Sequence, residues 1–221
     1  MAAELLGAKL LAPFFGSSLY VWSSVMAVTL IGLALGYFLG GFISVKPKLE
    51  KRLYSIMVIG AVIIALMPFT VQMCFALFSN LNLLPSVLIS SVFLLVPPVF
   101  LMGMVSPLII SLIDINFKSP GKSSGTVYAV STVGGIIATF LFGFYIIPNF
   151  GLSIPCIVTA IFLGIVPCTM LLLKKNLLPL LLVGGIWFSF RAMHLNKSNS
   201  RVKIVSLQEG ILGQLLVVDY P

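Results

Sequence analysis

The chain has 221 residues, of which 60% are hydrophobic and 8% charged, with a mean hydropathy of +1.19 and a formal net charge of +8. A soluble globular domain carries about 25% charged residues, so this composition excludes one and points to a chain that crosses a bilayer several times. The basic residues stand singly in short loops between apolar spans, a topology signal that argues against a nucleic-acid partner and makes the lipid bilayer the first partner.

Residues 1–15, MAAELLGAKLLAPFF, predict a half-helix. They are apolar apart from Glu4 and Lys9, close at Pro13, and are too short to cross a hydrocarbon core of about 30 Å. An acid and a base at membrane depth mark a functional site by default. The alternative is an interfacial pair, Lys9 snorkelling and Glu4 close to the chain start. The N-terminus lacks the charged region, short apolar core and small-residue cleavage site of a signal peptide.

The next stretch, 18–45, carries no charge and is long enough to span as a helix. Gly32, Gly36 and Gly40 recur every fourth residue and share one face, the small-residue groove by which helices approach closely in lipid. A basic run follows, Lys46, Lys48, Lys51 and Arg52 against the single Glu50, and places this loop on the cytoplasmic side.

Residues 53–78 predict a further span with Pro68 and Gln72 inside it, and 79–85 an uncharged external turn. The span at 87–113 contains Pro97, Pro98 and Pro107, so breaks or kinks are expected. Asp114, Lys118 and Lys122 form a second cytoplasmic loop. In 126–147, Ser131, Gly135, Thr139 and Gly143 repeat the four-residue small pattern, which makes this helix the natural packing partner of the glycine helix at 32–40. An uncharged turn at 148–151 leads to the span 152–173, closed by Lys174 and Lys175. A last apolar run, 177–190, precedes Arg191 and His194. Beyond it the chain becomes polar and then alternating, with strands expected at 201–206 and 212–219 around Gln208-Glu209-Gly210.

The fold expected is therefore an all-α polytopic membrane protein in the inner or plasma membrane. It has about six transmembrane helices, a short N-terminal half-helix and a short C-terminal β-hairpin. Residues 1–194 form the transmembrane module and 195–221 the start of a β-hairpin domain. Loops at 46–52, 118–122 and 174–175 are separated by pairs of spans, so a complete final span carries the hairpin outside. Cys74, Cys156 and Cys168 lie in apolar spans without metal spacing and read as small buried hydrophobes; His194, the one histidine, reads as an interface residue. Neither a metal nor another cofactor is expected.

Four stretches carry a resemblance: AELLGAKLLAPFFGSSLYVW with the glycine helix after it, VPPVFLMGMVSPLI at 96–109, GTVYAVSTVGGIIATFLFGFYIIPNFG at 125–151, and EGILGQLLVVD at 209–219. In that order they resemble the membrane-embedded branch of the spermidine synthase-like proteins. The resemblance implies a multi-helix module preceding an aminopropyltransferase domain of Rossmann type. This chain stops at Pro221, before such a domain, and starts halfway along the family's first helix. It carries no G-x-G-x-x-G after a strand, no catalytic triad and no carboxylate pair, so no catalytic residue is assigned. The resemblance implies that Gln214 corresponds to a hairpin glutamine contacting the nucleoside, although Leu212 stands where the family has an aromatic. It implies as partner a separately encoded Rossmann-like domain or a second copy. A small transporter, or half of a major-facilitator-like one, is the alternative.

Overall fold

A computed structural model describes residues 1–16, 18–45, 47–78, 82–117, 119–174, 177–196, 203–210 and 213–219; for 115–117, 192–196 and the strands it describes the backbone alone. The expected loop residues Lys46, Ser79–Leu81, Lys118 and Lys175, and the expected strand residues Arg201 and Leu212, lie outside the described residues.

The chain is a helical membrane protein. Among the described residues, five helical segments are long and apolar enough to cross a bilayer: Leu19–Ser44, Leu49–Phe78, Leu83–Asp114, Pro120–Phe150 and Ser153–Leu173. In chain order the elements are α1 (Ala2–Phe15), α2 (Leu19–Ser44), α3 (Leu49–Phe78), α4 (Leu83–Phe117), α5 (Pro120–Phe140), a π-turn (Leu141–Ile146), α6 (Ile147–Phe150), α7 (Ser153–Leu173) and α8 (Pro179–Asn196). The expected half-helix is α1, whose 14 residues give about 21 Å of rise. Gly16, at φ 74, ends it in a conformation open to glycine.

The last apolar run forms α8, 18 residues and about 27 Å of rise; the part of it with described side chains, Pro179–Arg191, is shorter than the five spanning segments. The helix begins at Pro179 rather than at 177, and the exposed Arg191 holds its guanidinium 5.4 Å from the Trp187 ring centroid. Phe188 meets Phe69 of α3 edge-on with ring centroids 5.4 Å apart, so α3 continues beyond this level to Phe78.

A correction concerns the prolines of α4. The expected break is replaced by one helix of 35 residues running through Pro97, Pro98 and Pro107. In lipid a broken helix exposes polar backbone with no water to satisfy it, and here Pro98 is fully buried between neighbours that hold the helix on course. Ser86 Oγ donates to the Phe78 carbonyl, joining the start of α4 to the end of α3.

The span expected at 126–147 starts earlier, at Pro120, and its end is reshaped. Pro148 has no N–H to offer the carbonyl four residues back, and the helix widens into the π-turn just before it. Asn149 Nδ2 donates to the Tyr145 carbonyl at 2.7 Å, satisfying another acceptor at this end. Gly151, at φ 73, then reverses the chain into α7.

The core lies where α1, α3, α4 and α7 meet, around Leu6, Leu11, Ile64, Met67, Leu94, Leu95 and Leu171. The α5 segment stands apart from it: 11% of its apolar window is buried, against 50% for α4. Backbone strands β1 (Lys203–Gly210) and β2 (Gly213–Asp219) pair antiparallel, Glu209 facing Gln214 and Gly210 facing Gly213. Gln208, Glu209 and Gly210, expected as the turn, are thus part of β1.

Candidate functional site

The strongest constraint in the bundle is the glycine face of α2, and it meets α4. This corrects the expected pairing with α5. A Cβ built at Gly36 would touch the Phe100 carbonyl oxygen and lie 2.9 Å from Gly103 Cα; one built at Gly103 would lie 3.1 Å from Gly36 Cα. At Gly40 the added atom would sit 2.8 Å from Met104 Cα and 3.2 Å from Pro107 Cγ. Gly32 is looser, 3.4 Å from Val99 Cγ1. Partners advance together along both helices, so α2 and α4 run in the same direction with four-residue ridges interlocked. Val99, Gly103 and Pro107 of α4 repeat the spacing of Gly32, Gly36 and Gly40.

Gly135 and Gly143 of the α5 segment face the half-helix instead. A Cβ at Gly135 would lie 2.9 Å from the Met1 side chain, and one at Gly143 3.9 Å from Leu5 Cδ1. These contacts are with flexible side chains or at ordinary range, so neither glycine is required by a backbone approach.

Glu4 lies where α1, α2 and α5 meet. Its carboxylate is 3.3 Å from the terminal ammonium of Met1 and within electrostatic reach of the Tyr37 hydroxyl on α2, which Tyr128 of α5 also influences. Lys9 is half-buried on α1, five residues on and about 140° round the helix from Glu4. The two intramembrane candidates thus occupy different faces. The side chains of His194 and Gln214 lie outside what is described, so the structure does not join Gln214 to any site.

On the basic side, two ties connect loops that the sequence treats separately. Lys174 Nζ donates to Glu50 Oε2 at 2.8 Å, holding the end of α7 against the start of α3. That hydrogen bond holds the Lys174 ammonium above its ordinary range. Ser123 Oγ donates to Asp114 Oδ1 at 3.3 Å, linking α5 to the end of α4. Glu50 and Lys174 therefore lie at the same end of the bundle.

The arrangement offers close helix packing and scattered charge rather than reaction chemistry. Among the described residues no group of three or more His, Cys, Asp or Glu could hold a metal ion, and Cys74, Cys156 and Cys168 are free thiols. No family model, curated protein or solved structure matches the chain.

The functional feature that the sequence reading missed is Gly103. Its signal was present, since Val99, Gly103 and Pro107 lie four apart, but prolines in the same stretch drew attention to a break instead of a groove.

Proposed function

We propose that this chain is the membrane module of a spermidine synthase-like protein of the inner or plasma membrane, a polyamine aminopropyltransferase in which a Rossmann-like nucleotide-binding domain, supplied outside these residues, carries the chemistry. The observation that carries this reading is the mutual contact of the resembling stretches. The glycine helix packs on VPPVFLMGMVSPLI through Gly36 and Gly103, and the stretch at 125–151 leans on the half-helix through Gly143 and Leu5. Stretches that share both order and mutual contacts behave as one module. In this reading the module holds the nucleotide-binding domain at the membrane and Gln214 contributes from the hairpin.

The electrostatic reach of Glu4 to Tyr37 favours the second reading, a small transporter or a major-facilitator-like half-module, because coupled transporters place ionisable groups at membrane depth. The two separate in one experiment. The chain is purified from its native membrane in mild detergent, its companions are identified by mass spectrometry, and preparations are assayed with putrescine and decarboxylated S-adenosylmethionine. The first reading expects a nucleotide-binding companion, aminopropyl transfer by the assembly and none by the chain alone. Accumulation of labelled spermidine by proteoliposomes holding the chain alone, with no such companion, would overturn it.

A further inference from the structure

Between the end of α2 and the start of α3 lies a cavity of about 470 Å³ lined by Ile43, Lys48, Lys51, Arg52, Ser55 and Ile56. Three of these six residues are cations and none is an acid. Arg52 is half-buried, and its Nη1 is buried without a hydrogen-bond partner. A guanidinium nitrogen taken from water and left unbonded is costly, and the charge of Arg52, which lines the cavity, favours an anion brought into it. Ser55 is not that ligand's donor, since its hydroxyl already donates to the Lys51 carbonyl at 2.8 Å. The one nearby carboxylate, Glu50, lines an adjoining cavity of about 460 Å³ and is engaged by Lys174 at 2.8 Å. The cavity also stands at the start of α3, a 30-residue helix whose dipole adds positive potential.

We propose that this cavity binds a phosphate group, supplied by the head group of an anionic phospholipid in the cytoplasmic leaflet. Phosphate fits the donors better than a carboxylate does. A guanidinium fork and two ammonium groups match an oxyanion with several oxygens, and Arg is suited to bidentate phosphate contact. Lipid fits the walls. Ile43 and Ile56 are apolar and belong to helices that enter the bilayer, so a glycerol backbone has a surface to lie on once the phosphate is held. Basic pockets between transmembrane helices on the cytoplasmic side are suited to acidic head groups. A zwitterionic lipid carries the same phosphate but brings a quaternary ammonium towards three cations, so the site discriminates against it. Soluble phosphate is the other source of the same chemistry.

The test uses the whole chain in detergent and native mass spectrometry with phosphatidylglycerol or phosphatidylcholine added. A thermal-shift titration with inorganic phosphate runs in parallel. The wild type is expected to retain phosphatidylglycerol in preference to phosphatidylcholine. Arg52→Gln loses one charge-assisted contact, and its phosphatidylglycerol affinity is expected to fall about tenfold or more. Lys174→Gln frees the Glu50 carboxylate beside the site and is expected to weaken phosphatidylglycerol binding less than Arg52→Gln does. Should Arg52→Gln fail to fold, the double variant Lys48→Gln/Lys51→Gln replaces it, since both side chains are exposed. An Arg52-dependent or Lys48/Lys51-dependent thermal shift with inorganic phosphate, without lipid retention, keeps the phosphate site and assigns it to a soluble source. Retention of phosphatidylglycerol to equal extent in wild type and variants, or no response to lipid or phosphate, overturns the proposal.

Discussion

Replacing Gly36 by alanine adds a single carbon where α2 and α4 are closest. That carbon would sit 2.9 Å from Gly103 Cα and closer still to the Phe100 carbonyl oxygen. Carbon atoms rest at about 3.5–4.0 Å, so the helices must part by roughly 0.6–1 Å over this turn. Both nearest groups are backbone, and neither can rotate away as a side chain does. Forced overpacking costs about 1–3 kcal/mol, which for a chain of this size lowers the unfolding midpoint by roughly 2–12 °C. Gly36→Leu should exceed that range and displace the helix. The comparison with Gly32 makes the test specific. There the added carbon meets Val99 at 3.4 Å, an ordinary contact, so Gly32→Ala should be nearly neutral. Gly40→Ala should follow Gly36, because its neighbour is the Met104 backbone at 2.8 Å. Thermal unfolding of the four variants in one detergent gives the ranking. Equal midpoints for Gly32→Ala and Gly36→Ala would refute the argument that backbone approach, rather than glycine spacing as such, sets the constraint.

Gly135→Ala and Gly143→Ala should each leave the unfolding midpoint within about 2 °C of wild type, since the atoms they meet are movable or distant; a loss as large as at Gly36 would restore α5 as the partner of a glycine groove. Lys174→Glu should lower the midpoint at low salt by setting two carboxylates together, and Glu50→Lys with Lys174→Glu should recover it; recovery failing in the exchanged pair would count against the tie between α3 and α7. Asn149→Ala removes the donor to the Tyr145 carbonyl and should cost about 1 kcal/mol, read as a lower unfolding midpoint; an unchanged midpoint would mean that the π-turn satisfies this carbonyl without Asn149. A cysteine at Ser198, in a background lacking Cys74, Cys156 and Cys168, should label in intact cells with an impermeant maleimide if α8 completes a crossing; labelling only after lysis would place the hairpin inside.

Span location was legible because a bilayer leaves the chain few choices. Twenty or so apolar residues flanked by basic loops at 46–52 and 118–122 have one stable form, and α2, α3 and α7 follow that pattern closely. The same constraint explains the mistaken break in α4. Proline removes a backbone donor and its ring clashes with the preceding turn, but in a bilayer a full break exposes still more unsatisfied backbone, and Pro97, Pro98 and Pro107 remain inside one helix.

Partner choice was not legible, and the reason lies in the symmetry of the signal. Small residues every fourth position mark a groove but carry no address, so 32–40 and 131–143 look equally suited to one another. What separates them is the opposing surface. Gly36 needs a neighbour that also lacks a side chain at the same height, and α4 presents Gly103 there with Val99 and Pro107 one turn to either side. Direction adds a second filter: α2 and α4 both descend from the uncharged turns to the basic loops, whereas α5 ascends. Ridges at four-residue spacing interlock along α2 and α4 for the length of the groove. The α5 segment, left without that match, meets the Met1 and Leu5 side chains at its glycines and keeps most of its surface exposed. A groove is therefore identified by complementary pairs, and searching for a second stripe in phase with the first would have selected Val99, Gly103 and Pro107 from the sequence.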